Sequence, residues 1–435
     1  MKGQDLWQKA KNLIPGGNQL LSKRAERFLP GLWPAYYDKA KGCEVWDLDG
    51  NRYYDFAQMG VGACILGYAD EDVNKAVHKA IDMGSMCSLN CHEEIELAEK
   101  LIALHPWSEM ARFARTGGEA CSIAIRIARA ATGKTKVAFC GYHGWSDWYL
   151  AANIGDLSNL DGQLLPGLAP VGVPRELAGS ALPFNYNKLN ELEELVARNP
   201  GKIGAIIMEP QRGKTPDSGF LEGVRQLATD IGAVLIFDEV TSGFRMNLGG
   251  IHLTYDVKPD MAVFGKALGN GYPIAAVIGR RGFMDAAQST FISSTMWTER
   301  VGFVAALATI DKMEKHDVQS KLVAFGNRIN EGWINLAKKH GLELKIDGIP
   351  PLTHYSFSCD EPLAAQTFYA QEMLEKGYLL GAAVYMSLAY TEEIIDDFIN
   401  ASDSVFSNLK DMIDSDDIRK HLKFDIIHSG FKRLA

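Results

Sequence analysis

No stretch of the sequence comes near the roughly 18 consecutive apolar residues that a membrane-spanning helix needs. The opening residues, Met1 to Gly17, are polar and lack the apolar core of a secretory leader. Long runs of lysine and arginine are also missing, and the formal net charge is -9. Nucleic acid and anionic membrane are therefore poor expected partners, although a local site for a small anion is compatible with an acidic chain. Cysteine is sparse and odd in number: Cys43, Cys64, Cys87, Cys91, Cys121, Cys140 and Cys359. That usage reads as reduced thiols in a cytoplasmic protein. Cys87, Cys91 and His92 crowd together, but no second metal-type pair lies elsewhere, so a structural role is expected and no metal. Neither a G-x-G-x-x-G fingerprint nor a phosphate-binding loop ending in Lys-Ser/Thr is present.

What is present is an ordinary globular composition in a chain of 435 residues, 47% hydrophobic and 23% charged. That length exceeds what one core usually serves, and two domains are expected. Cys43 to Phe56 alternates apolar and polar residues around Asp49-Gly50-Asn51, the pattern of a β-hairpin. Helical periodicity follows at 70–83 and 92–104. From Met110 the chain alternates short apolar runs with helical stripes. Strands are expected at 110–114, 136–140, 203–208, 233–237 and 261–264. Helices are expected at 119–132, 189–197, 220–231 and from 301 to 316. Apolar strands separated by helices point to a largely parallel sheet covered on both faces. Ala151 to Pro183, rich in Gly, Leu and Pro without a period, reads as a long loop. Helices near 363–376 and 392–411 belong to a second, smaller segment.

Ligands of such sheets bind at the carboxyl ends of strands, so the polar residues found there matter most. Asp238 follows Ala-Val-Leu-Ile-Phe237 directly and, if buried, needs a cationic partner; Arg245 is the nearest in sequence. Lys266 follows Met261-Ala-Val-Phe-Gly265 and enters a glycine-rich turn, where desolvation would turn an amine into a nucleophile. Thr116-Gly117-Gly118 joins a strand to an amphipathic helix, the place where backbone N–H groups bind phosphate. Tyr142, His143 and Trp145 place aromatic rings after another strand. Each feature alone has a bland structural reading. Together they supply an imine-forming lysine, a carboxylate for a pyridinium nitrogen, a phosphate cradle and a stacking ring, the requirements of pyridoxal 5'-phosphate.

Val45-Trp-Asp-Leu-Asp-Gly50, Phe237-Asp-Glu-Val-Thr-Ser-Gly-Phe-Arg245 and Phe264-Gly-Lys-Ala-Leu-Gly-Asn-Gly-Tyr-Pro273 carry a resemblance to the class III, fold-type I aminotransferases. It is strongest toward the glutamate-1-semialdehyde aminomutase branch, and it runs from the Ile14-Pro-Gly-Gly17 region to beyond Thr391. The resemblance implies an α/β fold: a large domain with a mostly parallel seven-stranded sheet between helices, and a smaller α+β domain built from both chain ends. The corresponding limits are 1–65, 66–310 and 311–435.

It also implies roles. Lys266 would form the internal aldimine and shuttle protons. Asp238 would pair with the pyridine nitrogen, and Val240 and Tyr142 would cover the two ring faces. Thr116, Gly117 and Gly118 would hold the phosphate. Glu209 would lie near the cofactor. Thr295, in Phe291-Ile-Ser-Ser-Thr-Met-Trp297, would reach the phosphate of a neighbouring subunit, which implies a homodimer with shared active sites. The amino group would pass from an amino donor to an aldehyde or ketone acceptor by way of pyridoxamine phosphate.

The substrate end departs from the mutase pattern. Asn18-Gln-Leu-Leu-Ser-Lys-Arg24 stands where mutases have Ser-Pro-Val-Arg. No acid precedes Thr391-Glu-Glu393 in the loop from Gly381, and Ser294 to Arg300 replaces Gly-Thr-Leu-Ser-Gly-Asn-Pro. An ordinary aminotransferase is therefore favoured over the aminomutase, and glutamate 1-semialdehyde is expected to be a poor substrate. A non-catalytic regulator that binds the cofactor is a remote alternative, since no basic helix-turn-helix precedes the domain. Arg24, Trp33, Trp145 and Arg245 are candidate substrate contacts, with packing or a surface ion pair as the competing reading for each.

Overall fold

The computed structural model describes residues 1–163, 166–211 and 213–430. Residues 164 and 165 of the expected long loop lie outside the described residues. The chain divides into two compact units, Glu71–Gln319 and a second made of Met1–Asp70 with Ser320–Ala435. The later limit differs from the expected 310 because the helix from Arg300 runs on to His316 and packs along the helix Glu71–Asp82 of the larger unit.

The larger unit is built on seven strands: β1 (Met110–Ala114), β2 (Lys136–Cys140), β3 (Ala181–Pro183), β4 (Ile203–Met208), β5 (Val234–Asp238), β6 (Met261–Phe264) and β7 (Ala275–Gly279). Their order across the sheet is β1-β7-β6-β5-β4-β2-β3. From β6 to β3 all neighbours are parallel, and β7 runs antiparallel to both β6 and β1. Every residue of β4, β5, β6 and β7 is buried. That is why these segments read as continuous apolar runs. Truncating one such side chain, Ile206 or Leu235, would cost about 2–5 kcal/mol through lost burial and a residual cavity. The helices Glu71–Asp82, Glu93–Leu104, Gly117–Thr132, Leu189–Arg198, Phe220–Asp230 and Arg300–His316 belong to this unit.

The sheet brings the ends of β2, β4, β5 and β6 to one edge. In register, Asp238 faces Val263 and Met208 faces Phe237. The residues that follow these strands, Gly141, Glu209, Glu239 and Gly265, therefore emerge side by side. Two strands were not expected. β3 hides in the stretch read as a loop, and β7 follows Pro273 with no polar alternation to announce it.

The smaller unit contains the expected hairpin, Glu44–Asp47 with Arg52–Phe56, flanked by Tyr37–Lys41 and by Tyr378–Leu380. Asp47 fixes its turn: Oδ1 accepts from the Asp49 and Asn51 amides at 2.9 and 2.8 Å. A second sheet joins Leu344–Asp347, Leu352–Phe357 and Ala383–Tyr385. The helices Val318–His340, Pro362–Glu375 and Glu392–Asp414 complete the unit, Val318–His340 beginning just inside the larger one. Among the described residues, no helix is long and apolar enough to cross a membrane.

Candidate active site

Asp238 ends β5 with 3% of its surface exposed. Its Oδ1 accepts the Val240 amide at 3.0 Å, a local turn that a short carboxylate side chain favours. Its Oδ2 lies 2.8 Å from His143 Nδ1 and accepts the Cys121 thiol at 3.3 Å. The partner of this carboxylate is thus His143, three residues beyond β2, and not Arg245. Arg245 is fully buried, and its Nε donates to the Thr241 carbonyl at 2.6 Å.

The loop after β5 is held from beneath by a buried polar network. The Glu239 amide donates to the Val263 carbonyl at 2.8 Å. Glu239 Oε1 accepts from the His252 amide at 2.9 Å and faces His252 Nδ1 at 2.8 Å, while Ser242 Oγ donates to Oε2 at 2.5 Å. Trp107 Nε1 donates to His252 Nε2 at 2.9 Å. The Gly250 amide donates to His105 Nε2 at 2.9 Å, and His105 Nδ1 faces the Leu101 carbonyl at 2.8 Å. Burial pushes the His105 imidazole down to about 4. A satisfied network of this kind fixes a loop more firmly than packing alone.

Lys266 follows Gly265 with φ +40°, in the left-handed region, and its Nζ donates to Thr241 Oγ1 at 3.0 Å. The loop after β5 thus meets the lysine through its third residue. Thr116 caps the helix Gly117–Thr132: its Oγ1 accepts the Glu119 amide, and Glu119 Oε2 accepts the Thr116 amide at 2.9 Å. This reciprocal box leaves the glycines at the start of the helix, where amides lack intrahelical acceptors.

The glycines are required by space. A Cβ on Gly117 would fall 2.9 Å from Val240 Cγ1. One on Gly144, where φ is +103°, would fall 2.9 Å from Gly118 Cα. One on Gly141 would fall 2.6 Å from Glu209 Oε2, which accepts the Tyr142 amide at 3.1 Å. Thr116, Gly117, Gly118, Tyr142, Glu209, Asp238, Val240 and Lys266 thus all lie at one edge of the larger sheet.

The remaining candidates are placed otherwise. Trp145 is 72% exposed and approaches Gly118. Thr295 is exposed in the segment 291–299. That segment is anchored to the strand and helix that flank the glycine turn. Arg126 donates to the Phe291 carbonyl, Arg112 to that of Ile292, and Arg115 to those of Met296, Trp297 and Glu299. Arg24 and Trp33 belong to the smaller unit. There Trp33 stacks on Phe28 with ring centroids 4.2 Å apart, and Arg24 packs against the Gly16 turn. Cys121 and Thr241 were not singled out from sequence, and His143 was noted only as a ring in the loop after β2, not as the partner of Asp238. Only the position of His143 just after a strand end offered a signal.

A primary amine, a buried carboxylate and a helix start with its glycine cradle, gathered at strand carboxyl ends of this sheet, define a pyridoxal-phosphate enzyme of fold type I. The chain matches the class-III aminotransferase family over residues 30–389 and belongs to it. It is 34% identical over 414 residues, 91% of this chain and 95% of the other, to a 3-aminobutyryl-CoA aminotransferase of Cloacimonas acidaminovorans (strain Evry).

Among solved structures it resembles the FumI protein of Sphingopyxis sp. MTA144 in its pyridoxal-phosphate internal aldimine form. The TM-score is 0.84 at 26% identity, over 95% of this chain and 97% of that one. A glutamate-1-semialdehyde aminomutase of Pseudomonas aeruginosa PAO1 is a more distant neighbour, at 18% identity and TM-score 0.79 over 94% of both chains. The protein is a pyridoxal-phosphate-dependent aminotransferase of class III, and the likeness to the aminomutase extends to fold.

Proposed function

We propose that this aminotransferase takes its amino group from a donor that carries it β to an acyl carbonyl, free or as a coenzyme A thioester, and delivers it to a 2-oxo acid. The observation that carries this reading is the 34% identity, over nearly the full length of both chains, to an aminotransferase named for 3-aminobutyryl-CoA. The finer kinship with glutamate-1-semialdehyde aminomutases has less support, because the substrate-end motifs at Asn18 to Arg24 and Ser294 to Arg300 depart from theirs.

When bound, pyridoxal phosphate supplies the electron sink for the carbon that loses its proton. In this reading Lys266 Nζ is the attachment point and later moves the proton at the substrate's amino-bearing carbon. Asp238 would pair with the ring nitrogen and keep a proton there. The Gly117 and Gly118 amides, with Thr116, would hold the phosphate. Tyr142 and Val240 confine the ring, and Glu209 fixes the Tyr142 backbone. Thr295 serves the phosphate of a second copy, which makes the working form a homodimer with shared sites. Arg24, Trp33 and Trp145 remain candidates for substrate contact, and buried Arg245 serves packing. The reduced thiols fit a cytoplasmic setting.

The test is the visible spectrum of the purified holoenzyme, titrated with 3-aminobutyryl-CoA, 3-aminobutyrate, glutamate 1-semialdehyde and common α-amino acids. The imine band, absent in Lys266→Ala, should bleach with a β-amino donor and return on adding a 2-oxo acid. Turnover with such a donor should reach the usual range of roughly 1–1,000 per second. Comparable turnover with glutamate 1-semialdehyde alone would restore the aminomutase, and bleaching only by α-amino acids would remove the β-amino reading.

A further inference from the structure

Two buried side chains of the long segment between β2 and β3, Tyr149 and Gln163, reach back to the residue just beyond β2. Gln163 is 5% exposed. Its Oε1 accepts the Gly141 amide at 2.6 Å, and its Nε2 donates to the Phe184 carbonyl at 3.3 Å. Phe184 stands just beyond β3 and gives its own amide to the Phe139 carbonyl of β2 at 3.0 Å. The glutamine therefore bridges the ends of two strands. Reversing its amide would set N–H against N–H at Gly141 and oxygen against oxygen at Phe184, so its orientation is fixed.

Gly141 has φ +113° and directly precedes Tyr142. Its amide goes to Gln163, and its carbonyl accepts the Tyr149 hydroxyl at 2.9 Å. The next amide, that of Tyr142, goes to Glu209 Oε2 at 3.1 Å. Three successive main-chain groups are thus each met by a side chain from a different part of the chain. A glycine leaves its flanking peptides free to turn, and these bonds remove that freedom. The Tyr142 ring meets Tyr149 edge-on, with centroids 6.1 Å apart, and keeps 37% of its surface exposed. With only partial packing around it, the ring depends on its backbone for its direction.

Gln163 is itself firmly seated. Its amide donates to the Leu160 carbonyl at 3.0 Å, the Leu160 amide to Asn153 Oδ1 at 2.9 Å, and Asn153 Nδ2 to the Leu168 carbonyl at 2.7 Å. Asn153 and Leu160 are fully buried. The place calls for an acceptor toward Gly141 and a donor toward Phe184, and an uncharged amide supplies both. An apolar side chain of the same length would leave the buried Gly141 amide without its acceptor.

We propose that Gln163 is a positioning residue for amino transfer: through the Gly141 peptide it sets Tyr142 against the face of the cofactor ring. The part concerning the ring rests on the reading of Tyr142 given above. The aperiodic segment between β2 and β3 then has a task in the site that its lack of pattern conceals.

The backbone part is read in the apo-protein, by hydrogen exchange of the stretch 140–145. Gln163→Met should speed exchange there roughly 3- to 10-fold, the weight of one hydrogen bond. Gln163→Asn, which withdraws the acceptor by one methylene, takes its place if the methionine variant does not fold. Asn159→Ala removes the bond from Asn159 to the Ala152 carbonyl in the same segment and should leave this stretch as it was. Unchanged exchange in the Gln163 variant, or an equal rise in Asn159→Ala, overturns the proposal. The ring part is read in the loaded protein, from the circular dichroism of the visible band, which reports the asymmetry around the bound ring. Gln163→Met should change the ellipticity per bound cofactor in the direction of Tyr142→Leu, bind pyridoxal phosphate roughly 3- to 10-fold more weakly, and add nothing to the ellipticity change in the Tyr142→Leu background. A change with Tyr142→Leu and none with Gln163→Met overturns the positioning role. No change with Tyr142→Leu overturns the reading of Tyr142 and the ring part with it, while the exchange result still decides the hold on Gly141.

Discussion

Thr241 Oγ1 accepts a hydrogen bond from Lys266 Nζ at 3.0 Å, across the loops that follow β5 and β6. The hydroxyl helps to hold the amine in a defined place before it meets the cofactor. In Thr241→Val the amine loses that acceptor at nearly constant side-chain volume. Capture of pyridoxal phosphate by the apo-protein, followed as growth of the visible band, should slow roughly 3- to 10-fold, the weight of one neutral hydrogen bond. Thr241→Ser should capture at close to the parent rate. Equal rates for Val and Ser would show that the contact is incidental.

Gly117 and Val240 are a second pair whose spacing has consequences. Ala at position 117 places its Cβ 2.9 Å from Val240 Cγ1, so the valine must move or the helix start must shift. Affinity for pyridoxal phosphate should fall by about tenfold or more. Val240→Ala made in the Gly117→Ala background should recover part of it, and a double-mutant cycle of cofactor Kd measures the coupling. Strict additivity of the two variants would refute the steric account.

Gly144 combines two demands, a φ of +103° and an approach to Gly118 Cα that a methyl would bring to 2.9 Å. Gly144→Ala should destabilise the protein by about 1–3 kcal/mol, through backbone strain at a conformation non-glycine residues avoid. The urea midpoint of the apo-protein reports this. Gly133→Ala, also at positive φ but in open space, should cost less.

His105 gives the protein a sensitivity to acid. Its folded-state value is pushed down to about 4 by burial, below the ordinary 6.5. Between these values the unfolded chain binds a proton that the folded chain does not, so stability rises with pH across that interval. The contribution is complete above about pH 6.5 and is lost as pH falls toward 4, on the order of 3 kcal/mol. The Nε2 lone pair that accepts the Gly250 amide is what protonation would remove. Denaturant midpoints measured from about pH 4 to pH 7.5 should show a shallower slope in His105→Gln than in the parent. An identical slope would place the acid sensitivity elsewhere.

The larger unit was legible wherever burial on both faces forced long apolar runs. Ile203 to Met208 and Val234 to Asp238 have no polar face to confuse the period. Ala181–Pro183 and Ala275–Gly279 were not legible, the first because three edge residues leave no pattern, the second because it follows a glycine-rich turn without a break. Lys266, Asp238 and the Thr116–Gly118 turn were visible because each follows an apolar strand. Cys121, Thr241 and the pairing of His143 with Asp238 were not. What distinguishes them is a partner distant in sequence: His143 reaches Asp238, 95 positions away, and Cys121 reaches it across 117. Arg245, the nearest cation to Asp238 along the chain, instead gives its Nε to the Thr241 carbonyl, because proximity in sequence is not proximity in space.

The arginines behind 291–299 hold it mainly through main-chain oxygens, with one looser side-chain contact from Arg115 to the Glu299 carboxylate at 3.7 Å. Arg112, Arg115 and Arg126 bond to the carbonyls of Phe291, Ile292, Met296, Trp297 and Glu299. Every residue type carries that oxygen, so this part of the clamp does not depend on the side chains it holds, apart from Glu299 facing Arg115 and Trp297 Nε1 donating to Glu119. Substitutions along this stretch can rewrite what it presents outward, Phe291 and Met296 included, without loosening its seat. Such a stretch can change its outward side chains while the anchor behind it stays as it is. Here the wording between Ser294 and Arg300 differs from the mutase motif, and the loop nonetheless stays tied beside the glycine turn.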